Sequence, residues 1–171
     1  MKTADFAYEL PQRLIAQTPI EPRDASRLLV LERSSGTIAH RHFRDIGEYL
    51  RPGDLLVAND SRVFPARLHG RKVPSGGKVE LLLVSRHDEL SWEALVRGRR
   101  VRVGDRIGLP DVGHPLSPQE YEIIGEVIAE TASGGRLVCF PRPIEPLLDH
   151  LGVVPLPPYI HTPLADAERY Q

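Results

Sequence analysis

The sequence predicts a mixed α+β (α/β) chain whose middle is a six-stranded antiparallel β-barrel. Two observations carry this. The first third mixes short helical and strand-like stretches, and from about Arg62 strand-like runs recur between turn signals with almost no helical period. Short strands at such spacing, with no crossover helices between them, point to an antiparallel sheet closed on itself.

Pro11 suits the start of a short helix running through Gln17 and stopped by Thr18-Pro19. "SRLLVLE" and "TIAHRHF", separated by Arg33-Ser34-Ser35-Gly36, read as a hairpin. "FRDIGEYL" puts Phe43, Ile46, Tyr49 and Leu50 on one helical face and closes at Arg51-Pro52-Gly53. Leu55, Leu56, Val57 and Ala58 then read as a short, fully buried strand that ends abruptly in Asn59-Asp60-Ser61-Arg62.

The barrel strands are expected at Pro65–Val73, Lys78–Arg86, Ser91–Arg97, Asp105–Leu109, Tyr121–Glu130 and Arg136–Pro141. Their punctuation is Ser75-Gly76-Gly77, His87-Asp88-Glu89, Gly104, Gly113–Pro118 and Ser133-Gly134-Gly135. Closure removes the free strand edges that would invite aggregation. Ile144–Leu151 reads as a short helix, and "VVPLPPYIHTPL" as an extended connector, since proline excludes both helix and central strand. The last eleven residues are expected to finish without an element that packs or caps. The division expected is 1–61, an α/β part; 62–141, the barrel; and 142–171, a short helix and Pro-rich connector.

At 171 residues the chain can bury a real core. Its single cysteine, Cys139, lies in the apolar run "GRLVCFP"; it cannot form an internal disulfide and reads as an inert buried thiol, which fits a reducing cytosol. No apolar run approaches the ~20 residues that span a bilayer, and "MKTADFAYELPQ" lacks the apolar core of a secretory signal. The expectation is a soluble, cytoplasmic protein. Net charge is −1, but charge is polarised along the chain: residues 61–106 hold eleven Lys/Arg against five Asp/Glu, and 107–140 hold one against five. "RGRRVRVGDR" reads either as a solvated strand-and-turn face or as a phosphate-binding one, through Arg97, Arg99, Arg100 and Arg102.

Taken together, "ADFAYELPQRLIAQTP…EPRDASRLLVL", "HRHFRDI", "LRPGDLLVANDSRVFPARLHGRK", "GGKVELLL", "WEALVR" and "LPPYIHTPLADAERYQ" closely resemble, in order and end to end, the S-adenosylmethionine:tRNA ribosyltransferase-isomerase family of queuosine biosynthesis. Family members continue beyond the position matching Gln171, so the chain is expected to be an N-terminal portion, inactive by itself. The resemblance implies a discontinuous α/β catalytic domain carrying the barrel as an insertion. It also implies a reaction: the ribosyl part of S-adenosylmethionine is transferred to 7-aminomethyl-7-deazaguanine in the tRNA anticodon and isomerised, giving epoxyqueuosine-tRNA, adenine and methionine. S-adenosylmethionine would be a co-substrate, with no prosthetic group and no metal; His40-Arg41-His42 lacks a Cys or carboxylate set at zinc spacing. The full-length enzyme is expected to be a monomer whose partners are tRNA and S-adenosylmethionine, with no membrane.

Such chemistry needs a carboxylate to take the acidic proton beside the sulfonium and a group to help adenine leave. Asn59 and Asp60, at the exit of the buried strand expected at Leu55–Ala58, sit where α/β proteins place ligands. Asp60 is the candidate base or ribose ligand, with Asn59 reading a base edge or the methionine end; the competing reading is that Asp60-Ser61 caps a turn. Arg62 and Arg67 suit anion contacts rather than catalysis. Arg23, Asp24 and Arg27 in "EPRDASR" are substrate candidates or an Asp-led turn. Tyr159, in Pro157-Pro158-Tyr159, is a candidate stacking platform or part of a stiff linker. Trp92 reads as barrel core. His40, His42 and His161 read as structural. A non-catalytic β-barrel RNA-binding module is the main alternative function, and a partner-docking protein presenting the Pro-rich segment is a weaker third.

Overall fold

The computed structural model describes residues 1–110 and 121–171. The expected turn at Gly113–Pro118 lies outside the described residues. The chain forms two compact units, one of residues 1–61 with 157–171 and one of residues 62–156.

In the barrel unit the antiparallel strands are β3 (Arg67–Val73), β4 (Lys78–Arg86), β5 (Ser91–Gly98), β6 (Arg106–Leu109), β7 (Ile123–Glu130) and β8 (Arg136–Cys139). Hydrogen bonding runs β4-β5-β8-β7-β6-β3, and the β3–β4 pairing closes the ring. The strands lie where alternation and turn residues placed them. β6 pairs with β3 only over Arg71–Val73, and the two-residue strand β9 (Gly152–Val153) pairs with Arg67 and Leu68. Strand alternation sends Leu68, Val79, Leu81, Ala94, Ile107, Val127 and Val138 inward, each below one tenth exposed. Trp92 is buried in this core as expected; Cys139 is only partly buried, because it follows the inward Val138 on β8.

The expected helix at Ile144–Leu151 is a 3-10 turn, Glu145–Leu147, continued by the α-helix α1 (Leu148–Leu151). Ile144, Leu148 and Leu151 are buried in the barrel core, so residues 142–156 belong to the barrel unit.

The other unit holds the expected hairpin, β1 (Arg27–Leu31) on β2 (Ile38–His42). Its turn needs Gly36, whose φ of +73° is a backbone conformation that side chains disfavour. The two expected helices are realised only as 3-10 turns, Gln12–Leu14 and Phe43–Tyr49. Leu55–Ala58 corrects the sequence reading more sharply: the segment is not a strand, and Leu55, Leu56 and Val57 are 85%, 70% and 87% exposed. A strand exists only by pairing its backbone groups, and among the described residues no strand pairs with this one. The tail also departs from expectation. Ala167–Tyr170 form a 3-10 turn whose N-terminus is capped by Asp166, with Oδ1 accepting from the Glu168 N–H at 2.9 Å.

Candidate functional site

Within the first unit, long-range hydrogen bonds stitch residues 17–23 to the C-terminal segment. The Gln17 side-chain amide donates to the Tyr159 carbonyl at 3.0 Å and accepts from the His161 N–H at 2.7 Å. The Arg23 guanidinium donates to the carbonyls of Gln171 at 2.9 Å and Arg169 at 3.0 Å. In return, Arg169 donates to the Pro19 carbonyl at 3.2 Å and lies 3.0 Å from Glu21. Two of the N–H groups that Arg23 would offer an anionic substrate are thus spent on the backbone.

Asp24 and Arg27 are exposed, Asp24 in a 3-10 turn over Arg23–Ala25 and Arg27 at the start of β1. Asn59 and Asp60 are exposed as well. Asn59 Oδ1 accepts from the Ser61 N–H at 2.8 Å, so the turn after the apolar run is held by Asn59 rather than by Asp60-Ser61. That leaves the Asp60 carboxylate outside the turn's hydrogen bonding. Tyr159 is 53% exposed, and its backbone is anchored by Gln17. Asp60 makes no hydrogen bond or ion pair to Arg23, Arg27 or Tyr159, so these candidates share a unit without forming a bonded constellation.

Gln17 and Arg169 are the anchoring residues that sequence reasoning missed. Their partners lie 142 to 150 residues away in the chain, and no local pattern signals such a bond.

In the barrel unit Arg62 is exposed. Arg67 Nε lies 3.6 Å from Glu80 Oε1, both side chains 30% exposed; that neighbour competes with an anion-binding role. The arginine-rich stretch is exposed throughout: Arg97 on β5, Arg99 and Arg100 in the turn beyond it, then Arg102. The turn is built rather than loose. Val101, only 7% exposed, plugs into the core between the arginines, packed against Gly98, where a Cβ would lie 3.1 Å from Val101 Cγ2 and push it by a few tenths of an ångström.

Four further contacts hold the turn. Lys72 Nζ donates to the Arg100 carbonyl at 3.1 Å and pairs with Asp105 Oδ2 at 2.7 Å. The same carboxylate oxygen accepts from the Arg102 N–H at 2.7 Å, and the Gly104 N–H donates to the Val127 carbonyl at 2.8 Å. The Lys72 ammonium, then the Arg102 N–H, hold the Asp105 carboxyl below its ordinary pKa. The result is a set of exposed guanidinium groups on a backbone already ordered by these contacts.

A family model described as "Queuosine biosynthesis protein" matches residues 3–171. The S-adenosylmethionine:tRNA ribosyltransferase-isomerase of Symbiobacterium thermophilum is 50% identical over 174 residues, covering 100% of this chain and 48% of that protein. The protein of the same name from Dehalococcoides mccartyi is 51% identical over 172 residues, with the same coverages of 100% and 48%. Among solved structures, the S-adenosylmethionine tRNA ribosyltransferase of Thermotoga maritima shares 42% identity over 84% of this chain and 47% of that one, with a TM-score of 0.39. The chain therefore spans about half the length of the curated relatives it matches.

Proposed function

The chain belongs to the queuosine biosynthesis protein family, and from that premise we propose that the full-length protein is an S-adenosylmethionine:tRNA ribosyltransferase-isomerase. It transfers the ribosyl moiety of S-adenosylmethionine to the aminomethyl arm of 7-aminomethyl-7-deazaguanine in tRNA and isomerises it, yielding epoxyqueuosine-tRNA with adenine and methionine released. The observation that carries this reading is identity near one half over the whole chain to relatives of that name.

In this proposal the first unit belongs to the α/β catalytic domain and the barrel is an insertion in it. The sulfonium acidifies the carbon beside it, and Asp60 is the base that takes that proton; its negative charge also offsets the sulfonium. Asn59 fixes the turn that presents Asp60, the Tyr159 ring offers a face for adenine or a tRNA base, and Asp24 and Arg27 are candidates for substrate contacts; Arg62 is a candidate anion contact in its own right. Arg97, Arg99, Arg100 and Arg102 hold tRNA phosphates. A second reading, a non-catalytic RNA-binding barrel, draws on one observation: every buried residue of the core lies between Ala66 and Leu151, within the barrel unit.

The deciding experiment incubates the full-length protein with S-adenosylmethionine and tRNA that carries or lacks the aminomethyl base, and measures free adenine and methionine. Release only with the modified tRNA is expected. Equal release with unmodified tRNA, or a methylated tRNA product, overturns ribosyl transfer; no release with either leaves the binding-module reading.

A further inference from the structure

Arg71 on β3 and Lys78 on β4 are direct partners in the antiparallel register, a like-charge pairing that destabilises a sheet unless something offsets it. β5 adds a third cation. Gly98 is the partner of Val79, so Arg99, the next residue, comes level with Lys78. One row further in, the register aligns His69, Glu80 and Arg97. The strand positions among these, Arg71, Lys78, His69, Glu80 and Arg97, alternate with the buried Leu68, Val79, Leu81 and Ala94 and therefore share the outer face of the barrel, while Arg99 is exposed in the turn that follows β5.

The carboxylates of this face are already engaged. Glu80 lies 3.6 Å from Arg67 and 3.9 Å from His69, and Glu93 Oε2 accepts from Ser85 Oγ at 3.2 Å, with Ser133 Oγ donating to its other oxygen. At the barrel end Asp105 is taken by Lys72. Arg71 gives one N–H to the Gly76 carbonyl at 3.0 Å. Among the described residues, Arg71, Lys78, Arg99 and Arg100 form no ion pair, and Arg97 faces Glu80 in the register without forming one. A row of cations whose local acids are spent elsewhere is offset by an anion from outside.

We propose that the outer face of β3, β4 and β5, running from Arg71 and Lys78 through Arg97 to the turn at Arg99 and Arg100, is a docking surface for the sugar-phosphate backbone of RNA. Beyond the Arg97–Arg102 stretch it adds Arg71 and Lys78 as phosphate contacts from two further strands. The surface follows the backbone and does not read bases: the large apolar side chains exposed on these strands, Val84 and Leu95, are aliphatic, and the only ring exposed on them is the His69 imidazole. The choice of RNA rests on the proposed tRNA reaction.

The test measures binding of unmodified tRNA to this chain by fluorescence anisotropy across about 50–200 mM salt, where each phosphate contact contributes roughly 0.7–0.9 to the slope of log K against log salt. R71Q/K78Q is expected to lower that slope by about 1.4–1.8. The control R86Q/R142Q, whose arginines pair with Glu145 and Glu122, is expected to leave it unchanged. A normal slope in R71Q/K78Q alongside a reduced one in R99Q/R100Q overturns the extended surface and keeps the arginine turn. Normal slopes in both overturn the whole face. A duplex DNA that binds as tightly as tRNA, with the same loss in R71Q/K78Q, overturns the assignment to RNA. In the full-length protein R71Q/K78Q should raise KM for tRNA and leave kcat unchanged, whereas failure of the wild type to release adenine refutes the reaction and not the surface.

Discussion

Replacing Gly125 by alanine should strain the barrel at a place where the structure specifies both the cost and its cure. Gly125 is an inward position of β7, and a Cβ there would lie 2.7 Å from Phe140 Cε1, 2.9 Å from Phe140 Cδ1 and 3.0 Å from Val138 Cγ1. Carbon atoms pack optimally near 3.5–4.0 Å, so the ring must shift by several tenths of an ångström or more. Phe140 is 1% exposed and Val138 0%, and neither has solvent to move into. Overpacking of this kind costs about 1–3 kcal/mol, while the stiffer unfolded chain of an alanine variant returns roughly 0.4–1 kcal/mol; G125A should therefore lose about 1–2 kcal/mol. F140L removes the two Phe140 atoms that clash and leaves only the 3.0 Å approach to Val138 Cγ1, so adding G125A to F140L should cost clearly less than G125A alone, a coupling of about 1 kcal/mol between the two sites. Trp92 is the chain's single tryptophan, is 8% exposed and pairs with Val138 across β5 and β8, so urea unfolding followed by its fluorescence reports on this core. A G125A variant as stable as the wild type, or single effects that simply add in the double variant, would refute the packing account.

Asp60→Asn in the full-length protein should keep the fold and lower turnover by about 10²–10⁴-fold, since the carboxamide preserves shape and lacks basicity; near-normal adenine release would remove Asp60 from the catalytic role. Acid should unfold the barrel through identifiable groups. Asp105 is held below its ordinary pKa by Lys72 and then the Arg102 N–H, and Glu93 by the Ser133 hydroxyl and then Thr131. The folded state therefore binds fewer protons than the unfolded one, so the stability these groups lend is complete above the unfolded values near 4 and is lost as pH falls through the folded ones. In a Trp92-monitored stability series from about pH 6 to pH 2, Asp105→Asn should flatten part of the acid decline; an unchanged profile would mean that Asp105 contributes nothing to it.

The six barrel strands were legible because their signals are local: alternation such as that from Lys78 to Leu83, punctuated by Gly76-Gly77 and Gly134-Gly135, survives in any context that lets the sheet close. The arginine turn was legible as charge, but not as a fixed structure. Val101 looks like one more alternating residue, and only the fold shows it seated against Gly98 with Lys72 and Asp105 holding the backbone on either side. The same gap separates Asn59 from Asp60, since both residue types close turns and only the bond to Ser61 shows which one does.

Leu55–Ala58 marks the physical limit of pattern reading. An apolar run records that burial would be favourable, but burial also needs a neighbour, and a strand needs a backbone to pair with. Leu29, Leu31 and Ile38 repeat the point in the β1–β2 hairpin: the strands form where predicted, yet these three side chains are more than half exposed. Local register is encoded between two adjacent segments and can be satisfied by them alone. The other face of each segment is not settled by that register, and hydrophobicity names neither a partner nor its position. The same reasoning governs the basic face, where Arg71 and Lys78 are paired as strand residues while neither forms an ion pair among the described residues. What differs is that a charge states the sign of what would complete it, so the proposed surface on the barrel names a partner's chemistry in a way that the exposed leucines of the first unit do not.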